Sequence, residues 1–267
     1  MRPKPKKSLG QNFLKDPNIR RKIIAACDFS DEDIVLEIGP GEGALTGLIA
    51  HRVKKLTAVE VDRSLSSALS ARFSGDPRVT VINADILKYD LSVASISPSR
   101  KLKVVGNIPY YITSPIIEHL FSFRDRISAI YLTVQKEFGQ RIIAKPGSEH
   151  YGAFSCYVQY YALPRIEFII KRTCFFPVPK VDSCFLKLEM RGKPAVRVDD
   201  EDLFFRIIRG SFQQRRKQIR NSLKTVISAD KILRIFDSAG ISPTTRAEEL
   251  SLLDFSRITD EISRACY

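Results

Sequence analysis

The run Ile34-Val35-Leu36-Glu37-Ile38 passes directly into Gly39-Pro40-Gly41-Glu42-Gly43, and a helix-compatible stretch, Ala44 to Ala50, follows at once. No other feature of the chain restricts its fold as tightly. A short, nearly unbroken apolar run suits a strand covered on both faces, and a glycine turn between such a strand and a helix is the nucleotide-binding arrangement of open α/β sheets. The spacing is G-x-G-x-G, not the G-x-G-x-x-G of dinucleotide sites, and an acid, Glu37, stands two residues before the first glycine. A pyrophosphate set against this turn would be repelled by that carboxylate. A cationic ligand would be attracted, which turns the reading from NAD toward S-adenosyl-L-methionine, whose sulfonium is positive.

The plan repeats along the chain. Leu56 to Asp62 is a second apolar run, and Glu60 falls about twenty residues beyond the first glycine, where an acid holds ribose hydroxyls. A third unit has helix-compatible Ser64 to Phe73, strand Val79 to Ile82, then Asn83-Ala84-Asp85, so Asp85 can accept from an adenine amine. The fourth strand, Leu102 to Val105, leads into Gly106-Asn107-Ile108-Pro109-Tyr110-Tyr111. Asn107 carries an acceptor and donors, Pro109 fixes the backbone, and Tyr110 offers a ring face, together a slot for a flat base. Those residues alone also suit a turn before a helix near Pro115. Polar residues at four successive strand ends favour one shared crevice.

Beyond Tyr111 the pattern predicts a helix over Pro115 to Phe121, a strand over Ile127 to Val134 and a helix opening at Gln135-Lys136-Glu137. Ala153 to Tyr161 reads as an aromatic helix in which Tyr157, Tyr160 and Tyr161 pack. Ile166 to Lys171 and Cys184 to Leu188 suit a terminal hairpin, and the loop between them, Cys174 to Ser183, is stiffened by Pro177 and Pro179. Phe175 and Phe176 divide evenly between core packing and clamping a base. Arg191-Gly192-Lys193-Pro194 marks a boundary, giving a domain over 1–190 and a helical one over 195–267. The latter has Asp199 or Asp200 as an N-cap, then Leu203 to Arg209, Gln213 to Leu223, Lys231 to Ala239 and Asp254 to Arg264.

A formal net charge of +13 over 267 residues points to a polyanionic partner. Seven of those charges fall in an arm over 1–22, where eight Lys or Arg face Asp16 alone, and Ser8 to Leu14 interrupts the arm with side chains suited to folding over a site. Arg216 and Arg220 lie i,i+4, with Arg209 and Lys217 near enough to join a phosphate-contacting stripe. The five cysteines show no C-x-x-C pair and read as buried thiols of a reducing compartment, and the three histidines are too scattered to hold a metal. No metal, no membrane span and a cytoplasmic location are expected.

Taken together, Lys7 to Leu14, Glu37 to Gly43, Glu60, Asn83-Ala84-Asp85, Asn107 to Tyr110 and Phe175 to Ser183 resemble the ribosomal RNA adenine dimethyltransferases. The likeness is to the bacterial kasugamycin-sensitivity branch, which dimethylates two adjacent adenines near the end of small-subunit ribosomal RNA, and it covers nearly the whole chain. It implies an α/β fold: a Rossmann-like class I methyltransferase sheet with a small C-terminal all-α domain. By that resemblance Asn12, Leu14, Gly39, Gly41, Glu60, Asp85 and Asn107 contact S-adenosyl-L-methionine. Asn107, Pro109, Tyr110 and Phe175 surround the adenine, Phe175 being preferred to Phe176 by alignment of the prolines, while Lys7, Arg209, Arg216, Lys217 and Arg220 touch RNA. A monomer working on the small ribosomal subunit is implied. The chain departs from its relatives at Ile108, at Tyr111 and in Phe175-Phe176-Pro177-Val178-Pro179. Two alternatives are a large-subunit methyltransferase of the macrolide-resistance type, and an assembly or mitochondrial transcription factor of the same descent with incidental methylation. The extended helical domain and the arm weigh against the first, and the lack of a presequence before Lys7 against mitochondria.

Overall fold

The computed structural model describes residues 5–6, 9–93, 100–213, 218–223 and 229–266. They form two compact units, one built from residues 1–139 with 165–190 and the other from 140–164 with 191–267.

The first unit holds a seven-stranded sheet in the order β4-β3-β2-β5-β6-β9-β7. Its strands are β2 (Ile34–Ile38), β3 (Lys55–Glu60), β4 (Val79–Asn83), β5 (Leu102–Asn107), β6 (Ile127–Gln135), β7 (Ala162–Ile170) and β9 (Ser183–Met190). The first five in spatial order run parallel and β9 is antiparallel to β6. β9 and β7 neighbour each other at the sheet's end, as the expected hairpin requires. Val35 and Leu36 are fully buried, so β2 reads as an unbroken apolar run because both its faces are covered. The crossover helices α2 (Thr46–Ala50), α3 (Arg63–Phe73) and α4 (Thr113–Ser122) fall where the sequence pattern sets them.

Two further strands, β1 (Phe13–Leu14) and β8 (Phe175–Phe176), pair with each other outside that sheet, Phe13 opposite Phe176 and Leu14 opposite Phe175. Helix α1 (Pro17–Ala26) begins sooner than the predicted arm allows. Asp16 caps it, accepting from the backbone N–H groups of Asn18 at 2.8 Å and Ile19 at 3.3 Å, and Pro17 fits the first helical position. Arg20, Arg21 and Lys22 therefore belong to a helix, and the arm ends at Asp16.

In the second unit, α6 (Ala153–Tyr161) and α7 (Glu201–Phe212) pack through the rings of Tyr157, Tyr160, Tyr161, Phe204 and Phe205, whose centroids stand 4.8 to 5.8 Å apart. Asp200 is the N-cap of α7, its Oδ1 accepting from Leu203 N. The unit continues with α8 (Ile219–Ser222), α9 (Ala229–Ala239) and α10 (Leu252–Cys266). A helix through Gln213 to Leu223 does not form, because Gln218 is extended and bridges Arg246. Arg220 stands in α8, and Arg216 lies outside the described residues.

Two of the three phenols of α6 end on one carboxylate. Tyr161 donates to Glu201 at 2.6 Å and Tyr160 at 3.2 Å, and both tyrosines are buried. Glu201→Ala should destabilise the protein by about 1–3 kcal/mol, the scale for withdrawing an acceptor from buried donors. Urea unfolding checks this, with Asp202→Ala on the exposed side of the same turn expected to change little.

Candidate active site

The parallel strands deliver their polar ends to one edge of the sheet. There a cavity of about 270 Å³ is walled by Glu37 to Glu42, Val59 to Val61, Ala84 to Leu87, Asn107 to Ile112 and, from the arm, Leu9 to Leu14. Asn12, Leu14, Gly39, Gly41, Glu60, Asp85, Asn107, Pro109 and Tyr110 all line it. The sequence brings these positions together as expected.

Glu60 braces the glycine turn. Its Oε2 accepts from Gly41 N and its Oε1 from Asp62 N, each at 2.9 Å, while Gly39 N donates to Val59 O. Burial pushes this carboxyl upward, and the two backbone N–H groups pull it back toward the ionised form. Each carboxylate oxygen has a second lone pair for a ligand hydroxyl. Asp85 caps the short turn Ile86–Lys88 through Leu87 N at 3.0 Å.

Glu37 is 2% exposed, and its Oε2 has no hydrogen-bond partner among the described residues. Burial raises its pKa to about 7; the nearby Thr46 hydroxyl opposes the shift and the charge of Glu60 adds to it. The Thr46 hydroxyl also lacks a well-formed hydrogen bond, so the two make a loose pair. An orphaned buried carboxylate at a ligand cavity is suited to a cationic or amino-bearing guest.

The base slot is set by the arm. Asn107 Nδ2 donates to the backbone oxygen of Asn12 at 2.8 Å. A carbonyl can face only the amide's nitrogen side, so Oδ1 of Asn107 points the other way as an acceptor. Asn12 is itself held by Nδ2 donating to Gly10 O at 3.2 Å. The Tyr110 hydroxyl lies 2.7 Å from Ser183 Oγ, which fixes the ring. Leu14 is 3% exposed, and its carbonyl accepts from Arg20 at 2.6 and 3.0 Å.

Contrary to what the resemblance implies, Phe175 does not help surround the adenine. Its ring is fully buried in the core with Leu14, Ile23, Ile170 and Phe185, whereas Phe176 is 48% exposed. Pairing with β1 turns alternate residues of β8 to opposite faces, and the inward face falls to Phe175. Phe176 is the exposed ring of the pair, and neither ring lines the cavity.

Arg209 and Arg220 are exposed. Lys7, Arg216 and Lys217 lie outside the described residues. Among the described residues no cluster of His, Cys, Asp or Glu suits a metal, no helix is long and apolar enough to cross a membrane, and Cys27, Cys156, Cys174 and Cys184 are free thiols. The sequence reading missed Asp62 and Ser183, which stand outside the cavity lining and hold Glu60 and Tyr110 within it. Asp62 was visible only as the last residue of an apolar run; nothing local announced Ser183.

A family model described as ribosomal RNA adenine dimethylase matches residues 2–264. The chain is 45% identical over 263 residues, 96% of its length and 91% of the relative's, to ribosomal RNA small subunit methyltransferase A of Moorella thermoacetica. Among solved structures, a dimethyladenosine transferase from Plasmodium falciparum superposes with a TM-score of 0.82 at 27% identity, covering 94% of this chain and 98% of that one. The 23S rRNA methyltransferase ErmE follows at a TM-score of 0.74 and 25% identity, covering 94% and 99%.

The pKa of Glu37 gives a test of the cavity. Between pH 4.5, the ordinary carboxyl value, and about 7 the folded protein keeps a proton that the unfolded chain releases, so this group lowers stability as pH rises through that window. Glu37→Gln should remove that loss, gaining on the order of 3 kcal/mol over the parent at pH 8 but little at pH 4.5. Urea unfolding of both proteins across the window reads the difference.

Proposed function

The chain belongs to the ribosomal RNA adenine dimethylase family, and on that premise we propose that it methylates the N6 amines of two adjacent adenines in the 3′-terminal hairpin loop of small-subunit ribosomal RNA. The observation that carries this reading is the Asn107 amide, turned by the Asn12 carbonyl so that its oxygen faces the slot. S-adenosyl-L-methionine supplies a methyl group activated by a sulfonium. Glu37, Glu60 and Asp85 fit that donor in charge and position: an orphaned carboxylate for its cationic part, an acid at the strand end for its ribose, and an acceptor for its adenine amine.

An adenine amine is a poor nucleophile because its lone pair is delocalised into the ring. In the first transfer Asn107 Oδ1 accepts one of its protons and the carbonyl of Ile108 or Pro109 the other, which favours a tetrahedral nitrogen. The nitrogen's lone pair takes the methyl as the methyl–sulfur bond breaks, S-adenosylhomocysteine leaves, and the surplus proton passes to solvent. Placement and desolvation then do most of the catalysis, and no strong base is needed. The base must leave its stack to arrive, and Tyr110, which lines the cavity, holds it by a stacking contact that contributes roughly 1–3 kcal/mol. The excess of 13 positive charges supports an RNA substrate, with Lys7, Arg209, Arg216, Lys217 and Arg220 at its phosphates. The second unit serves as an RNA-binding support. The small subunit is favoured over the large one by the higher identity to the Moorella relative than to ErmE. The enzyme works as a monomer in the cytoplasm.

Incubation with labelled S-adenosyl-L-methionine and unmethylated small subunits should give two adjacent dimethyladenosines, and label confined to large-subunit RNA would overturn the reading. Asn107→Ala should abolish transfer and, by releasing the Asn12 carbonyl, weaken donor binding, while leaving RNA affinity close to the parent's. Replacing Arg209 and Arg220 by Gln should flatten the slope of log affinity against log salt by about 1.4, two phosphate contacts' worth on single-stranded RNA.

A further inference from the structure

Asp62 lies just past the end of β3, two residues beyond Glu60, with a side chain only 1% exposed. Its carboxylate receives Lys6 Nζ at 2.9 Å on each oxygen, and Gln11 Nε2 at 3.3 Å. The same Gln11 accepts from Lys6 N through its Oε1 at 2.8 Å, so the two arm residues are tied to each other as well as to Asp62. The next residue, Asn12, presents the carbonyl that orients Asn107. At its other end Asp62 gives its backbone N–H to Glu60.

We propose that Asp62 is a positioning residue that clasps the arm across the cavity, setting the donor wall through Glu60 and the base slot through Gln11, Asn12 and Asn107. This rests on the roles given above to Glu60 and Asn107. The clasp is a closed physical chain. Asp62 carboxylate to Gln11, Gln11 to Asn12 along the backbone, and Asn12 carbonyl to Asn107 amide join the two halves of the site without passing through the sheet. Burial alone would raise the Asp62 carboxyl, yet Lys6, Ser64 and Gln11 together hold it well below the usual carboxylate range, which keeps it charged for the arm. Asp62 also caps α3 by accepting from Ser64 N at 3.0 Å. Any test must separate that duty from the clasp.

Asp62→Asn does so. Asparagine keeps an oxygen for Ser64 and caps a helix as well as aspartate, but it loses the charge that draws Lys6 and sets an NH₂ against Gln11. Lys6→Met breaks the clasp from the arm and leaves Asp62 untouched. In the full chain each variant should raise KM for S-adenosyl-L-methionine and lower kcat, by about fivefold to tenfold, the scale of a half-exposed charge-assisted hydrogen bond. The double variant should be no worse than Asp62→Asn alone, because Lys6→Met removes only the ion pair that Asp62→Asn has already weakened. Thermal unfolding should stay near the parent's. Parent-like kcat and KM in both single variants, or losses that multiply in the double, would overturn the clasp.

Amide hydrogen exchange of residues 9–14 in the protein alone gives a reading independent of methyl transfer. Faster exchange in both single variants supports the clasp even if the parent transfers no methyl group, an outcome that would overturn the proposed function alone. Unchanged exchange there refutes the clasp whatever the activity.

Discussion

Ile38 of β2 stands level with Val59 of β3 on one side and with Gly106 of β5 on the other, and every polar group at the cavity takes its position from that registration. Parallel pairing aligns the strands' carboxyl ends, so Glu37, Glu60 and Asn107 emerge along one edge though they are separated by as many as 70 positions in the chain. Glu60 in turn stands level with Asn83 of β4, which brings Asp85 to the same edge. A slip of one residue would turn each of these side chains to the opposite face. Both faces of β2 and β5 are buried, so a slip would press fitted side chains such as Leu36 and Val104 into the wrong layer.

Upon that frame the local hydrogen bonds act in series. Glu60 is held by Gly41 N–H and Asp62 N–H, Asp62 holds the arm, and the arm turns Asn107. The site is thus assembled from backbone groups as much as from side chains. That suits a reaction whose barrier is lowered mainly by fixing two partners in line.

The sheet and the strand-end acids were legible in the sequence because each depends on local grammar: an apolar run, a turn, a helix, and an acid at a set interval. Tyr157, Tyr160 and Tyr161 were legible as packing residues for the same reason, and Asp200 as a cap. What was not legible depends on pairing between distant segments. Phe175 and Phe176 are indistinguishable in sequence until β8 pairs with β1 and one of them must turn inward. The break at Gln218 comes from its bridge to Arg246, 28 residues away, and overrides a stretch of strong helix formers. The arm ended short of expectation because Asp16 could cap, a signal that was present but was read as a lone counter-charge. Asp62 was hidden by its company, since an acid that ends a strand beside another acid looks like a redundant copy.

Where the arm meets the rest of the site, it does so at glycines. A Cβ on Gly10 would come within 3.1 Å of the Tyr111 ring, and one on Gly41 within 3.0 Å of the Phe13 ring, and both residues have φ near +60°. Neither offers any functional group, yet each is closed to L side chains twice over, by backbone conformation and by an aromatic face. A saturation scan scored on protein folding and methyl transfer would mark these two positions as intolerant of side chains. Intolerance at such a surface measures backbone conformation and clearance, not chemistry.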